Sequence, residues 1–505
     1  YISRSEEDFG LSLASYRTGK EDGFFLICLS PKQELAPGES VPKDIVFVFD
    51  TSGSMAGEKI EQAREALSFC VRSLEKKERF NVITFSTTAQ AVFEKLRAAS
   101  KKNKKEALNF IKDLKAVGGT NIEEALRLAL SQRGHTEERP YMVVFLTDGL
   151  PTVGEVDWKK ILKNVEKQRP KGLRLFVFGV GHDVNTIFLD RLAEENSGAR
   201  QYVRPGENLE IKVSQFYQKI SKPVLTDVQI TFSAGGIYDL YPPHVKDIFY
   251  GEQLILVGRY RKPGAQVLEI AGRCADQRYR HRFPIRLPER AVEDSYLPRL
   301  WATRKIGFLL DEIRLHGQKK ELIEEVRQLA KRYGIITPYT SAFAMEDLAL
   351  AGFSRGLRRR GRVFPKMAYG AGPHRQGAAS SVGKQAVEAS QALQRLKKVR
   401  NLSELAKDEA AFWGKGERRV RTVGAKTFYL RNGVWVDSEY KEGMQERVVQ
   451  YLSEEYFKLL AEHPELGRYF AIGKEVVVCL EGVAYRVKAE GEAEEKDKGE
   501  AEKQD

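Results

Sequence analysis

Residues 46–57 read VFVFDTSGSMAG: an apolar run stops at an aspartate, and two serines follow at alternate positions. Asp50, Ser52 and Ser54 thus place one carboxylate and two hydroxyls at the end of a buried strand. Two other stretches carry groups of the same kind. Thr120 lies in VGGTN, a glycine-supported loop ahead of a helix, and Asp148 follows an apolar run in FLTDG. None of the three presents His or Cys. All-oxygen donors with few carboxylates suit a hard cation. A small number of protein ligands suits magnesium, which keeps several of its waters, with manganese or calcium as the other candidates.

The helix after Ser54 bears on what such an ion would do. Its N-terminus carries partial positive charge and tolerates an anion better than a bare cation. Two carboxylates roughly neutralise a divalent ion. If the hydroxyls hold it directly and the aspartates act through water, the ion stays electron-poor. Its open position then favours a carboxylate from outside, so the site suits gripping a partner that presents an acidic residue.

Other chemistries compete for the same residues. Serine before a helix is routinely a cap, and for either serine alone that is the simplest reading. The ordered set of Asp-x-Ser-x-Ser, GGT and TDG asks for more. A phosphotransfer aspartate would lack the early acidic pair of a receiver, and Ser52 stands where an Asp-x-Asp phosphatase loop has its second aspartate. No G-x-x-x-x-G-K-[ST] loop occurs, which speaks against nucleotide hydrolysis. A hydrolase that polarises water on the metal needs a general base beside it, and the sequence offers none beyond the two aspartates. An accessory subunit docking on an ATPase or chelatase ring is the remaining alternative to adhesion or scaffolding.

The elements that must position these residues follow from periodicity. DIVFVFD (44–50), FNVITFS (80–86), YMVVFLT (141–147) and LRLFVFGV (173–180) are continuous apolar runs, as strands covered on both faces are. Ile60, Ala63, Leu67 and Leu74 keep helical spacing, as do Ile122, Ala125, Leu126 and Ala129. This alternation predicts an α/β fold, a doubly wound, mostly parallel sheet with helices on both sides. Ligands of such sheets sit at the carboxyl ends of strands, where Asp50 and Asp148 fall.

At 505 residues the chain exceeds one core. Residues 43–221 are read as the α/β domain. Residues 1–42 lead into it and supply strands to a β-domain at 222–291, where VQITFS, QLILVGRY and QVLEIAG alternate as antiparallel strands do. The prediction is that 9–31 and 224–288 form one sandwich-like β-domain interrupted by the α/β domain. Residues 292–350 are read as a helical hairpin, with stripes at Ala302, Ile306, Leu309 and Ile313 and at Leu322, Val326, Leu329 and Tyr333. Residues 351–410 follow as a basic linker and helix, with 352–385 expected to be mobile. A small α+β module is expected at 411–487, with a strand pair around TFYLRNGVWVD, a helix over AEHPELGRYF and a closing pair in KEVVVCLEGVAYRV. Residues 488–505 read as a disordered charged tail.

Composition narrows the partners. The net charge of +13 arises from 83 basic and 70 acidic residues, a surface dense in both signs and not a nucleic-acid signature. RGLRRRGR (355–362) lacks aromatic interleaving and reads as a solvated loop. The sequence holds no stretch of about 18 apolar residues of the kind that spans a membrane. Cys28, Cys70, Cys274 and Cys479 are scattered among apolar residues and read as small buried hydrophobes. Trp158, Trp301, Trp413 and Trp435 read as packing residues, and His135 and His182 as loop residues.

DTSGSMAG, GGTNI and LTDG resemble the metal-ion-dependent adhesion site of von Willebrand factor type A domains. DTSGSMAGEKIEQAREAL, FNVITFS, LTDGLPTVGE and GVGHDVNTIFLDRLAEENSGARQYV are more narrowly similar to the inter-alpha-trypsin inhibitor heavy chain group and its bacterial relatives. FGLSLASYRTGKEDGFFLICLSP, IFYGEQLILVGRYRKPG, LPRLWATRKIGFLLDEI and YGIITPYTS extend the resemblance over about residues 9–345. It implies the sheet above with one short antiparallel strand. It also implies that Ser52, Ser54 and Thr120 bind the ion by hydroxyl, with Asp50 and Asp148 direct or through water. The group's N-terminal VIT domain is expected to be missing from this chain apart from its exit segment. No Asp-Pro-His processing sequence is found, so linkage to a matrix polysaccharide is not expected. A secreted or bacterial envelope protein is the expectation the resemblance carries.

Overall fold

Alternation decides the first two strands, β1 (Phe9–Tyr16) and β2 (Gly23–Pro31), which pair antiparallel. In β2, Phe25, Ile27 and Leu29 enter one core while Phe24 and Leu26 enter another, the period of two that a pleated strand imposes. The computed structural model describes residues 9–19, 21–31, 42–133, 139–221, 223–274, 277–335, 337, 339, 381–401, 404, 420–431 and 433–489.

The uninterrupted apolar runs form a parallel sheet: β3 (Asp44–Asp50), β4 (Arg79–Phe85), β7 (Tyr141–Thr147), β8 (Leu173–Val180) and β9 (Arg200–Val203). The short β5 (Ala89–Ala91) and β6 (Arg97–Ala98) lie antiparallel along β4, where the resemblance implied one such strand. The order is β5-β4-β3-β7-β8-β9, so β3 is central. Its register pairs Asp50 with Phe85 on one side and Phe49 with Leu146 on the other, which brings the carboxyl ends of β3 and β7 together. Ile45, Phe47 and Phe49 pack under α1 (Glu58–Ser73), α2 (Lys101–Lys112) and α6 (Leu209–Ile220). Val46 and Val48 pack under α3 (Ile122–Ser131), α4 (Trp158–Gln168) and α5 (Thr186–Glu195). The fold is a doubly wound α/β domain.

The chain enters and leaves this domain at one place: buried Lys43 pairs with Glu78 and donates to the Ser221 carbonyl at 2.6 Å. Beyond lie β10 (Pro223–Phe232), β11 (Ile237–Tyr241), β12 (Asp247–Phe249), β13 (Leu254–Tyr260), β14 (Gly264–Cys274) and β15 (Gln277–Leu287). They build two four-stranded sheets, β1-β2-β13-β11 and β12-β10-β14-β15. Backbone pairing of β2 with β13 joins the segments before and after the α/β domain.

The far face of the first sheet is covered by α7 (Leu297–His316), which also packs on α8 (Lys320–Tyr333) and α9 (Lys384–Lys398). A simple amphipathic hairpin was the expectation, but α7 is buried on nearly all sides. Arg304, Lys305, Asp311 and Arg314 are buried with its apolar residues because partners on three sides meet them. Most of the basic stretch at 352–385 lies outside the described residues. Its end is seated on the α/β domain: Gly383 N–H donates to the His182 carbonyl at 3.0 Å and Thr186 N–H to the Ser381 carbonyl at 2.7 Å.

The last module is a six-stranded sheet in the order β16-β17-β18-β20-β21-β19. Its strands are β16 (Val420–Val423), β17 (Lys426–Arg431), β18 (Val434–Asp437), β19 (Gln445–Gln450), β20 (Val476–Leu480) and β21 (Val483–Lys488). The expected helix over AEHPELGRYF is broken. The chain ends α10 (Glu454–Glu462) before Pro464, makes one tight turn, and restarts as α11 (Gly467–Phe470), because proline cannot continue the ladder. Cys70 and Cys479 are buried, Cys28 is half-buried and all three are free; the Cys274 side chain, Trp413, His135 and the tail beyond residue 489 lie outside the described residues. Trp301 and Trp435 are core residues.

Candidate metal centre

Three loops at the carboxyl end of the sheet meet over β3. The loop after β3 is fixed by Gly53 N–H donating to the Gly118 carbonyl at 3.0 Å, and Val117 N–H donating to the Thr51 carbonyl at 2.9 Å. The Thr120 loop is tied to the third by Thr120 N–H, which donates to the Thr152 hydroxyl at 2.8 Å, while Thr152 N–H returns to the Thr120 carbonyl at 2.9 Å. Gly118 makes this crossing possible. Its φ is +83°, and a Cβ there would lie 2.6 Å from the Thr87 hydroxyl.

Within this frame the side chains of Asp50, Ser52, Ser54, Thr120 and Asp148 come together. Ser52 N–H donates to Asp50 Oδ1 at 2.8 Å, and the Thr147 hydroxyl donates to Asp50 Oδ2 at 2.6 Å. The Ser52 and Ser54 hydroxyls are 3.0 Å apart, and Ser54 Oγ donates to Asp148 Oδ1 at 2.7 Å. Gly149 closes one wall: a Cβ there would lie 3.8 Å from both Ser54 Oγ and Thr120 Oγ1. Asp50, Ser52, Thr120 and Asp148 are buried, and Ser54 alone is exposed, so the cluster opens to solvent at Ser54.

The capping alternative is answered by the same geometry. Ser52 precedes the tight turn Gly53–Met55, and Gly57 precedes α1; neither makes a side-chain cap hydrogen bond. The two hydroxyls turn to each other instead, and that of Ser54 on to Asp148.

Electrostatics agree with a site built for positive charge. Burial pushes the Asp50 carboxyl up to about 6, and the negative charge of Asp148 adds to it, against the hydrogen bonds from Ser52 and Thr147. A buried carboxylate without a full counter-charge is costly, and a cation among these oxygens would relieve it. The donor set of two carboxylates and three hydroxyls fits a hard divalent ion. Among the described residues, no group of three or more His, Cys, Asp and Glu side chains forms another candidate.

Two contributors escape a reading of the sequence. Thr147 looks like the last residue of an apolar strand, yet its hydroxyl holds Asp50. Lys59 looks like an ordinary charge in a helix's first turn, yet its Nζ lies 2.7 Å from Asp148 Oδ2. The alternating oxygens of DTSGS are the signal that a chemical site begins there; nothing local marks these two.

Residues 43–202 match the family model of the von Willebrand factor type A domain. Inter-alpha-trypsin inhibitor heavy chain H4 of Homo sapiens is 30% identical over 359 residues, covering 67% of this chain and 38% of that protein. The Sus scrofa heavy chain H4 is 32% identical over 340 residues, covering 64% of this chain and 36% of that one. This chain therefore spans less than two fifths of the length of those relatives. A solved von Willebrand factor type A protein from Catenulispora acidiphila aligns with a TM-score of 0.49 and 16% identity, covering 78% of this chain and 97% of that one. The chain is a von Willebrand factor type A domain protein of the inter-alpha-trypsin inhibitor heavy chain-like group.

Proposed function

We propose that this chain is an adhesion or scaffolding protein whose rim site holds a divalent cation and joins it to an acidic side chain of a protein partner. Magnesium is the first choice, with manganese or calcium as alternatives. The hydroxyls of Ser52, Ser54 and Thr120 would hold the ion, with Asp50 and Asp148 direct or through water. When bound, the ion supplies an electron-poor position for an external carboxylate.

The observation that carries this reading is the orientation of Ser52 and Ser54, whose hydroxyls meet each other, with Ser54 reaching on to Asp148, and make no cap hydrogen bond to the turn that follows. Binding is favoured over turnover because both carboxylates are engaged: Asp50 by Ser52 N–H and Thr147, Asp148 by Ser54 and Lys59. Both are also the groups that would balance the ion's charge, which leaves no carboxylate of the cluster set aside as a general base.

The test is calorimetric titration of Mg2+ and Mn2+ into wild type and Asp50→Ala, followed by capture of partners with and without chelator. Saturable binding lost in Asp50→Ala, with capture lost on chelation and restored by Mg2+, is the expected result. Equal capture under all conditions would return the serines to a purely structural role.

A further inference from the structure

A cation of the chain's own already stands at this centre. Lys59, in the first turn of α1, brings Nζ to 2.7 Å from Asp148 Oδ2 and 3.2 Å from the Ser54 carbonyl oxygen. The two Asp148 oxygens are thereby divided. Oδ1 accepts from the Ser54 hydroxyl on the side of the cluster, and Oδ2 accepts from the ammonium. The Asp148 side chain is wholly buried, while that of Lys59 is 41% exposed, so the ammonium stands between carboxylate and solvent. The loop after β8 leaves it room, since a Cβ on Gly181 would lie 4.0 Å from Nζ.

We propose, resting on the cation reading above, that Lys59 sets the charge balance of the site. It weakens the hold on the divalent ion and strengthens the hold on the partner's carboxylate. Asp50 and Asp148 together bring two negative charges, and Lys59 cancels one. A divalent ion then leaves the centre one charge positive, where two carboxylates alone would leave it neutral. An incoming carboxylate restores neutrality. One fixed ammonium thus repels the metal and attracts the partner's anion through the same field. Water screens this half-exposed group, so each effect is about tenfold and no larger. The two effects have opposite signs. A purely structural Lys59, whose loss loosened Asp148, would weaken metal binding and carboxylate binding together.

The experiment titrates Mn2+ into wild type, Lys59→Met and Lys59→Arg, reading free Mn2+ by electron paramagnetic resonance, with and without acetate as the carboxylate probe. Lys59→Met is expected to bind Mn2+ about tenfold more tightly, with Lys59→Arg close to wild type. Acetate should tighten Mn2+ binding in wild type and in Lys59→Arg more than in Lys59→Met, because the coupling between two ligands is reciprocal. Lys59→Gln replaces Lys59→Met if thermal melting shows that the methionine variant is misfolded. Unchanged or weaker Mn2+ binding on loss of the ammonium overturns the role of Lys59 and leaves the cation reading standing. An equal acetate effect in wild type and Lys59→Met, zero included, overturns the carboxylate half. No saturable Mn2+ binding in wild type overturns both.

Discussion

Arg200, on the edge strand of the parallel sheet, and Asp311, in the C-terminal half of α7, form a buried ion pair in which Arg200 Nη2 lies 2.9 and 2.7 Å from the two carboxylate oxygens. Arg314 of α7 pairs with Asp190 of α5 and lies 3.3 Å from Asp311. From α9, Lys397 reaches Asp311 at 2.8 Å and the Ser390 hydroxyl donates to Asp190 at 2.7 Å. This network ties the von Willebrand factor type A domain to both helices. Asp311→Ala removes the acceptor shared by three cations and leaves two arginines buried. Urea unfolding should show a loss of about 3–5 kcal/mol, the scale of a broken buried pair. A loss below about 1 kcal/mol, as for exposed pairs, would mean that the tie lies elsewhere.

The same aspartate sets an acid limit. Burial opposes its ionisation, but Arg200, Lys397 and Arg314 hold the Asp311 carboxyl well below the usual carboxylate range. The native state therefore binds fewer protons at this group than the unfolded chain, whose carboxyl titrates near about 3.9. Its stabilisation is complete above that value and is lost as pH falls below about 4. Unfolding midpoints measured from pH 7 to pH 3 should fall at the acid end in wild type, and less steeply in Asp311→Asn.

Asp50 has the opposite sign. With its native carboxyl raised to about 6, its contribution is favourable below the unfolded value and is lost as pH rises through about 6. At pH 7.5 the ionised group costs up to about 3 kcal/mol, taking about 1.4 kcal/mol for each unit of the rise. In chelator, Asp50→Asn should then be at least as stable as wild type. Added Mg2+ should raise the melting temperature of wild type and leave the variant unmoved. A variant clearly less stable than wild type in chelator would show that the carboxylate is well compensated without an ion.

Gly118→Ala tests the loop that carries Thr120. The left-handed backbone and the Thr87 hydroxyl both resist a Cβ, for a cost of about 1 kcal/mol or more. Thermal melting should fall by a few degrees while Mn2+ affinity drops, because Thr120 is carried by the displaced loop. Unaltered affinity would separate Thr120 from the ion.

Much of the central sheet is written in local pattern. The apolar runs at 44–50, 141–147 and 173–180 coincide with β3, β7 and β8 because strands covered on both faces have no reason to alternate. Arg200–Val203 escapes that reading: four residues opening on an arginine become a strand only because β8 offers its edge. α7 misleads for a related reason. Its charged residues look like a solvent face, but their partners Asp190 and Arg200 lie more than a hundred residues earlier in the chain. The oxygen residues of the rim site stand out because Asp-x-Ser-x-Ser is an uncommon way to end a strand. Lys59 and Thr147 do not, since each fits its helix or strand without any site.

The bond from Lys43 to the Ser221 carbonyl has a mechanical consequence. The rim site lies at one end of β3, and both chain crossings leave from the other. A pull on the rim therefore runs lengthwise along the central strand and loads the ladder on both its sides in shear, many hydrogen bonds at once. At the far end the tension divides between two adjacent covalent anchors into the sandwich. Among the described residues β3 is flanked by β4 and β7, so under the partner-binding reading proposed above a load on the rim would meet shear along that axis and not peeling one bond at a time.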